Sequence, residues 1–234
     1  FIPNIIRKAQ SDYRSTLDVQ CQAWKNARLI RNNDQLFMLD EEGRVYDGVF
    51  RRVSSVLERS VVKEIDLRTE ERVEGRTLCI ADEFSSSTNY AHWLCDWLPR
   101  IGMAELTGVP FDRVVGVWPA ALDFMTGSLD AVLGNRDRYF SPREDTVYRL
   151  DELLYFCSPR RELFHPTRIG NPRLLGWLRS KLVADAPVAG PARRFYLPRR
   201  HSRRITNDRE VWELLRAYRF GRVDADAMTF RQQI

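Results

Sequence analysis

Lysine is scarce in this chain. It stands at four positions (8, 25, 63 and 181) among 37 basic residues, so arginine carries the basic character. Arginine offers phosphate a planar fork of donors, whereas lysine offers a point charge. With a net charge of +5 and a pI of about 9.2, the balance favours phosphate-bearing partners, whether small molecules, nucleic acid or anionic lipid. A GC-rich genome produces the same excess without functional cause, so local clusters carry more weight than the total.

Cysteine is also sparse. Cys21, Cys79, Cys95 and Cys157 lie far apart and show no CxxC spacing. That argues against a disulfide framework and implies reduced, mostly buried thiols in a reducing compartment. His92, His165 and His201 do not pair with the cysteines at ligand spacing, so no zinc site is expected. Long apolar runs are missing as well. No stretch approaches the ~20 residues a transmembrane helix needs. The opening FIPNIIRKAQ is too short and interrupted for a signal peptide, and it lacks an initiator Met. The default expectation is a cytoplasmic protein, with peripheral membrane association allowed.

What is present suffices for a core: 44% hydrophobic and 11% aromatic residues in 234. That length suits one large domain, or one domain and part of another. Residues 18–50 read as β structure, with Val19–Trp24 as one strand. A hairpin joins Ala27–Arg31 to Gln35–Leu39, and Val45–Phe50 forms a further strand. Val53, Val56, Leu57 and Val61 mark a helical stripe or an irregular strand. The run Glu70–Gly75 reads as a solvated loop.

From residue 77 strands and helices alternate. The expected strands are Thr77–Ala81, Arg113–Val117, Thr146–Leu150 and Leu153–Cys157, the last two around a turn. Helices are expected at 120–133 and at Pro172–Leu182. This rhythm implies a parallel, Rossmann-like sheet. Residues 186–192, rich in Pro and Gly, read as a linker. A strand at Arg194–Leu197, a helix over Asn207–Tyr218 capped by Asn207, a strand from Arg222 and a helix from Thr229 then begin a second α/β domain. The resulting division is 1–185, 186–192 and an incomplete 193–234.

Two clusters carry chemistry. The first is a helix beginning near Asn89, on which His92 and Asp96 share a face one turn apart. Trp93, Leu94, Trp97, Leu98 and Ile101 surround the pair with apolar surface. Asn89 suits a helix cap, and Pro99 should kink or end the helix at Leu98. A partly exposed structural His–Asp pair would have the same spacing. The second cluster is the loop 198–207, PRRHSRRITN, with four Arg in six positions at a helix N-terminus. Such a loop suits phosphate, although a solvated basic loop paired to carboxylates would look alike.

Asn89-Tyr90-Ala91-His92-Trp93-Leu94-Cys95-Asp96-Trp97-Leu98-Pro99-Arg100 resembles the NYxHWxx(E/D)xLPR signature of family 61 glycosyltransferases. Residues 195–200 and 203–208 are similar to that family's "IYISR … RxIxNE". Residues 220–223 and 228–234 are similar to its "GFxxV … LSFxEQI". Pro198 and Asp208 replace the usual Ser and Glu, and the loop between Arg199 and Arg203 is slightly short. The resemblance covers residues 77–234 and implies a GT-B-like α/β fold. The first domain is then Rossmann-like and acceptor-side, with an N-terminal β-rich elaboration, and the second is nucleotide-sugar-side. Family members continue for about a hundred further residues, a domain-sized stretch. The chain reads as truncated before them, and this piece alone is expected to be inactive.

The implied reaction is inverting transfer of a sugar from a nucleotide-sugar to a hydroxyl acceptor, often on a bacterial surface polysaccharide. His92 is the first choice for base and Asp96 orients it, or Asp96 is itself the base. Arg199 and Arg203, with Arg204 as substitute, neutralise the leaving diphosphate. Asn89, Arg100 and Asn207 position substrate. Asp224-Ala225-Asp226 imitates a metal-binding DxD triplet but falls in a connective region, so no metal or other cofactor is expected. The competing reading is a non-catalytic glycan- or nucleic-acid-binding module built on the Arg-rich loop. No RNP motif, helix-turn-helix or zinc knuckle supports its nucleic-acid form, and no nucleic acid is expected as a partner.

Overall fold

The computed structural model describes residues 19–32, 35–39, 69–81, 88–118, 122–156, 171–183, 194–198 and 205–233. The expected strand Val45–Phe50, the apolar positions 53–61, the linker 186–192 and the arginine loop from 199 to 204 lie outside them. The chain forms two compact units, Phe1–Lys181 and Leu182–Ile234.

The first unit is built on a six-stranded sheet in the order β2-β1-β6-β3-β4-β5. The strands are β1 (Cys21–Asn32), β2 (Gln35–Leu39), β3 (Thr69–Cys79), β4 (Arg113–Val115), β5 (Tyr139–Phe140) and β6 (Thr146–Phe156). Strands β6, β3, β4 and β5 run parallel, while β1 is antiparallel to both β2 and β6. The result is a mixed α/β unit with a mostly parallel central sheet, compatible with a Rossmann-like fold. The expected hairpin forms, with Asn32 opposite Gln35. Its first strand is longer than expected, however. One continuous β1 from Cys21 takes in the separate strand read at Val19–Trp24. Ile30, Phe37, Leu39 and Val147 form a buried cluster beneath it.

Two expectations are corrected by cross-strand pairing. The charged run 70–75 is not a loop but the first half of β3. Residues 146–156 are one strand, not two around a turn. These two segments explain each other. They pair in parallel from Thr69 opposite Thr146 to Val73 opposite Leu150. Their charges meet across strands: Glu70 with Arg149 at 3.2 Å, Arg72 with Asp151 at 2.9 Å, and Arg76 with Glu152 at 2.7 Å. Opposite charges on neighbouring strands stabilise a sheet that either segment alone would not form. The register breaks between Val73 and Arg76. Gly75 sits there at φ +81°, and a Cβ on it would lie 2.5 Å from Asp112 Oδ2. A bulge in this conformation requires glycine.

The second half of β3 is apolar and buried. Thr77, Leu78 and Cys79 are fully covered, as is Ile80 just beyond the strand. Burial pushes the Cys79 thiol up to about 11. Because the thiolate is the reactive form, Cys79 should resist iodoacetamide at pH 8 in the native protein and react once urea unfolds it. Peptide mass spectrometry reads both states, and native labelling of Cys79 would contradict this burial.

After β3 the chain forms one helical run. It comprises α1 (Tyr90–His92), a π-helical turn (Trp93–Trp97) and α2 (Pro99–Thr107). Backbone angles at the junctions Trp93 and Leu98 stay helical, so of the two outcomes expected at Pro99, a kink or an end, the helix does not end at Leu98 but changes to a π turn ahead of the proline. The Leu98 N–H reaches back five residues to the Trp93 carbonyl at 2.9 Å. This wider turn precedes the proline, which has no N–H to give, and the helix restarts with Pro99 in its first turn. Gly102 then lies against the Trp177 ring of α4 (Pro172–Leu182), where a Cβ would be 2.6 Å from ring carbons. Trp177 Nε1 donates to Glu105 at 2.7 Å, and Lys181 pairs with the same carboxylate at 2.9 Å. Helix α3 (Asp123–Leu133) falls inside the expected 120–133 and buries Met125, Ser128, Leu129 and Val132. No helix among the described residues is long and apolar enough to cross a membrane.

In the second unit, β7 (Phe195–Tyr196) and β8 (Gly221–Arg222) pair in parallel around α5 (Asp208–Ala217). Trp212 of α5 stacks on Tyr196 at 6.3 Å. Asn207 occupies the cap position of α5, but its side chain makes no cap bond. Its Nδ2 donates instead to Glu210 at 3.3 Å. The expected terminal helix is α6 (Phe230–Gln233), where the Thr229 N–H donates to Gln232 Oε1 at 2.9 Å.

Candidate active site

The strand order places a switch point beside β3. The chain passes from β3 to β4 and β5 on one side, while β6 lies on the other. In α/β sheets the crevice outside the carboxyl ends of such strands is where ligands bind. The helical run that leaves β3 enters at this position, and it carries His92 and Asp96.

Local sequence sets the start of that run. Asn89 is extended at φ −85°, ψ 114°, and its Oδ1 accepts from the N–H groups of Ala91 at 3.0 Å and His92 at 3.3 Å. Asn89 therefore acts as a cap, with its carbonyl oxygen engaged by the backbone. One turn on, His92 Nδ1 and Asp96 Oδ2 are 2.6 Å apart. Asp96 is 1% exposed and the His92 side chain 37%, so the carboxylate is interior and the ring reaches the surface. An ionised Asp96 accepts from Nδ1–H. It thereby selects the imidazole tautomer whose acceptor lone pair is on Nε2. This is the arrangement of a general base held by a buried orienting carboxylate.

Aromatic packing holds the π turn beneath the pair. Trp93 is fully buried, stacks on Trp97 at 5.9 Å and meets Trp118 edge-on at 6.1 Å. Its Nε1–H donates to Ser128 Oγ of α3 at 2.8 Å. Ser128 and Tyr155 are residues that periodicity could only assign to a core, and each turns out to hold a group at this site.

Arg100 is not where a substrate-contacting residue would be. It is fully buried. Its Nε donates to the Phe156 carbonyl at 3.2 Å, and one terminal nitrogen donates to the Ile80 carbonyl at 3.3 Å and to that of Asp96. The other terminal nitrogen donates to the Tyr155 hydroxyl at 3.1 Å. The guanidinium thus bridges the ends of β3 and β6 and the turn that carries Asp96.

Arg199, Arg203 and Arg204 lie outside the described residues, so the structure brings together His92, Asp96, Asn89 and Arg100 from the sequence-derived set. Asn207 belongs to the second unit. Just beyond the basic loop, Asp208 accepts from the Tyr196 hydroxyl and from Arg222 at 2.8 Å. The hydrogen bond to Asp208 raises the Tyr196 phenol above its ordinary value. A groove of about 300 Å³ lies between α2 and Phe111, just ahead of β4, with Arg138 on its wall. That is the amino end of β4, away from the dyad.

The profile of one family, Glycosyltransferase 61, matches residues 90–234, well over half of the chain. The match begins one residue after the Asn89 cap and takes in His92, Asp96 and Arg100. No curated protein matches the chain closely enough to count as a relative.

Proposed function

The chain belongs to glycosyltransferase family 61 and is a glycosyltransferase, and from that premise we propose an inverting mechanism with His92 as the catalytic base. Membership implies a nucleotide-sugar donor and an acceptor. The observation that carries the mechanism is the 2.6 Å contact between His92 and the buried Asp96 at the carboxyl ends of the parallel strands. His92 Nε2 takes the proton from an acceptor hydroxyl as that oxygen attacks the anomeric carbon. The bond from that carbon to the diphosphate breaks on the opposite face, which inverts the centre. Asp96 stabilises the imidazolium that forms.

The departing nucleoside diphosphate needs positive charge. Arg199 and Arg203, with Arg204 as substitute, supply it, and the α5 N-terminus after Asn207 adds backbone donors. In this reading the fold is GT-B-like. Residues 1–185 form the acceptor side, 186–192 a linker and 193–234 the beginning of the donor side. The acceptor is a growing bacterial surface polysaccharide, made on the cytoplasmic side of the inner membrane.

The test is nucleotide release by the full-length protein across UDP-, GDP-, CDP-, dTDP- and CMP-sugars, with extracted surface polysaccharide as acceptor. Release from one donor, with the anomeric configuration inverted in the product and activity lost in Arg199→Ala, is the expected result. A folded protein that binds glycan or nucleic acid yet releases nothing from any donor would overturn it.

A further inference from the structure

We propose that Arg100 is a positioning residue that holds the His92–Asp96 dyad in working geometry by tying its π turn to the ends of β3 and β6. The proposal rests on the reading of His92 as base. Its own support is geometric. Arg100 is fully buried, and its fork donates to acceptors on three separate segments: Ile80 after β3, Tyr155 and Phe156 at the end of β6, and the Asp96 carbonyl. Asp96 is thereby held twice, by its carboxylate on His92 and by its carbonyl on Arg100.

Burying an always-charged guanidinium is costly, and packing alone would be served as well by an apolar side chain. What an apolar residue cannot do is fix the backbone of the π turn. That turn needs fixing. The Ile101 N–H goes to the Leu98 carbonyl at 3.1 Å, a tighter step immediately after the wide one. The local ladder is therefore irregular where Asp96 sits, and a carboxylate that must meet an imidazole at 2.6 Å tolerates little drift. Lysine has one nitrogen and cannot reach this spread of acceptors, so it should not substitute.

Two readouts test this. The first needs no activity: a hydrogen bond as short as His92–Asp96 gives a far-downfield imidazole N–H proton resonance. With three histidines in the chain, His92→Ala assigns it. In folded Arg100→Met and Arg100→Lys this resonance should move upfield or vanish by exchange. The second is kinetic: kcat should fall about 10–100-fold in both variants, with donor KM within about threefold of wild type. Should both variants fail to fold, Tyr155→Phe removes one acceptor without changing shape. It should move the same resonance in the same direction, by less. An unmoved resonance in a folded Arg100 variant, or in Tyr155→Phe if neither folds, overturns the proposal. So does wild-type kcat in Arg100→Met. A wild-type protein that transfers no sugar overturns the transferase mechanism instead, and the resonance still decides the role of Arg100.

Discussion

His92→Ala is expected to lower sugar transfer by about a hundred- to ten-thousand-fold, the usual contribution of a positioned general base. Donor binding should hold, because in this mechanism the donor's charge is met by the arginine loop and not by the imidazole. Equilibrium titration with the nucleoside diphosphate, run beside steady-state kcat, separates the two. Asp96→Asn should fall almost as far although it changes few atoms. A carboxamide can turn its NH2 toward Nδ1, which places the ring proton on Nε2, where the acceptor's proton must go. Glutamate at 96 would keep the charge but overreach a contact of 2.6 Å in a site where the carboxylate is 1% exposed. Wild-type kcat in either His92→Ala or Asp96→Asn would remove the dyad from the mechanism.

The second large effect concerns stability. Trp93→Ala should destabilise the protein by about 3–5 kcal/mol, the range for deleting a buried large aromatic. The ring is fully buried between Trp97, Trp118 and Phe124, and its N–H is bonded to Ser128. Domains hold about 5–15 kcal/mol in total, so this is a large share of the margin. Trp93→Phe keeps most of the apolar contact and loses the N–H···O bond, worth about 1 kcal/mol net, plus a smaller cavity term. Urea denaturation gives both values, with an unchanged slope showing that the unfolded state is not altered. A loss under about 1 kcal/mol for Trp93→Ala would mean that the aromatic cluster is not what anchors the π turn.

These two predictions draw on different sources. The His92–Asp96 pairing was legible in the sequence because a four-residue spacing on a helix is a local fact, settled by helical pitch. The Asn89 cap was legible for the same reason: its partners are two and three residues away. The π turn was not legible. Pro99 announces an irregularity, but whether the helix stops or widens depends on what the following residues can pack against. Here Gly102 and Trp177, far apart in the chain, provide that surface.

The surroundings of the arginine in the signature, Arg100, were not legible in the sequence. The family resemblance implies that Arg100 positions substrate. Arg100 instead reaches a carbonyl 56 residues ahead and a hydroxyl 55 residues ahead. Nothing local to LPR reveals those acceptors. The run 70–75 is similar, since Arg72 finds its partner on β6 at Asp151, 79 residues later, and Glu70 finds Arg149 on the same strand.

By itself, then, the sequence determined the elements whose bonds close within a few residues: the capped helix and its dyad, the hairpin β1–β2, and the short α/β pieces around α5. It also determined the family, because that signature is local. Tertiary structure decided what depends on distant partners: that β6 lies beside β3 and so makes the switch point, that a charged run becomes a strand, and that Arg100 is interior. Helical pitch and turns act over one turn of chain, whereas sheet order and the burial of a cation are settled by segments that meet only when the whole unit folds.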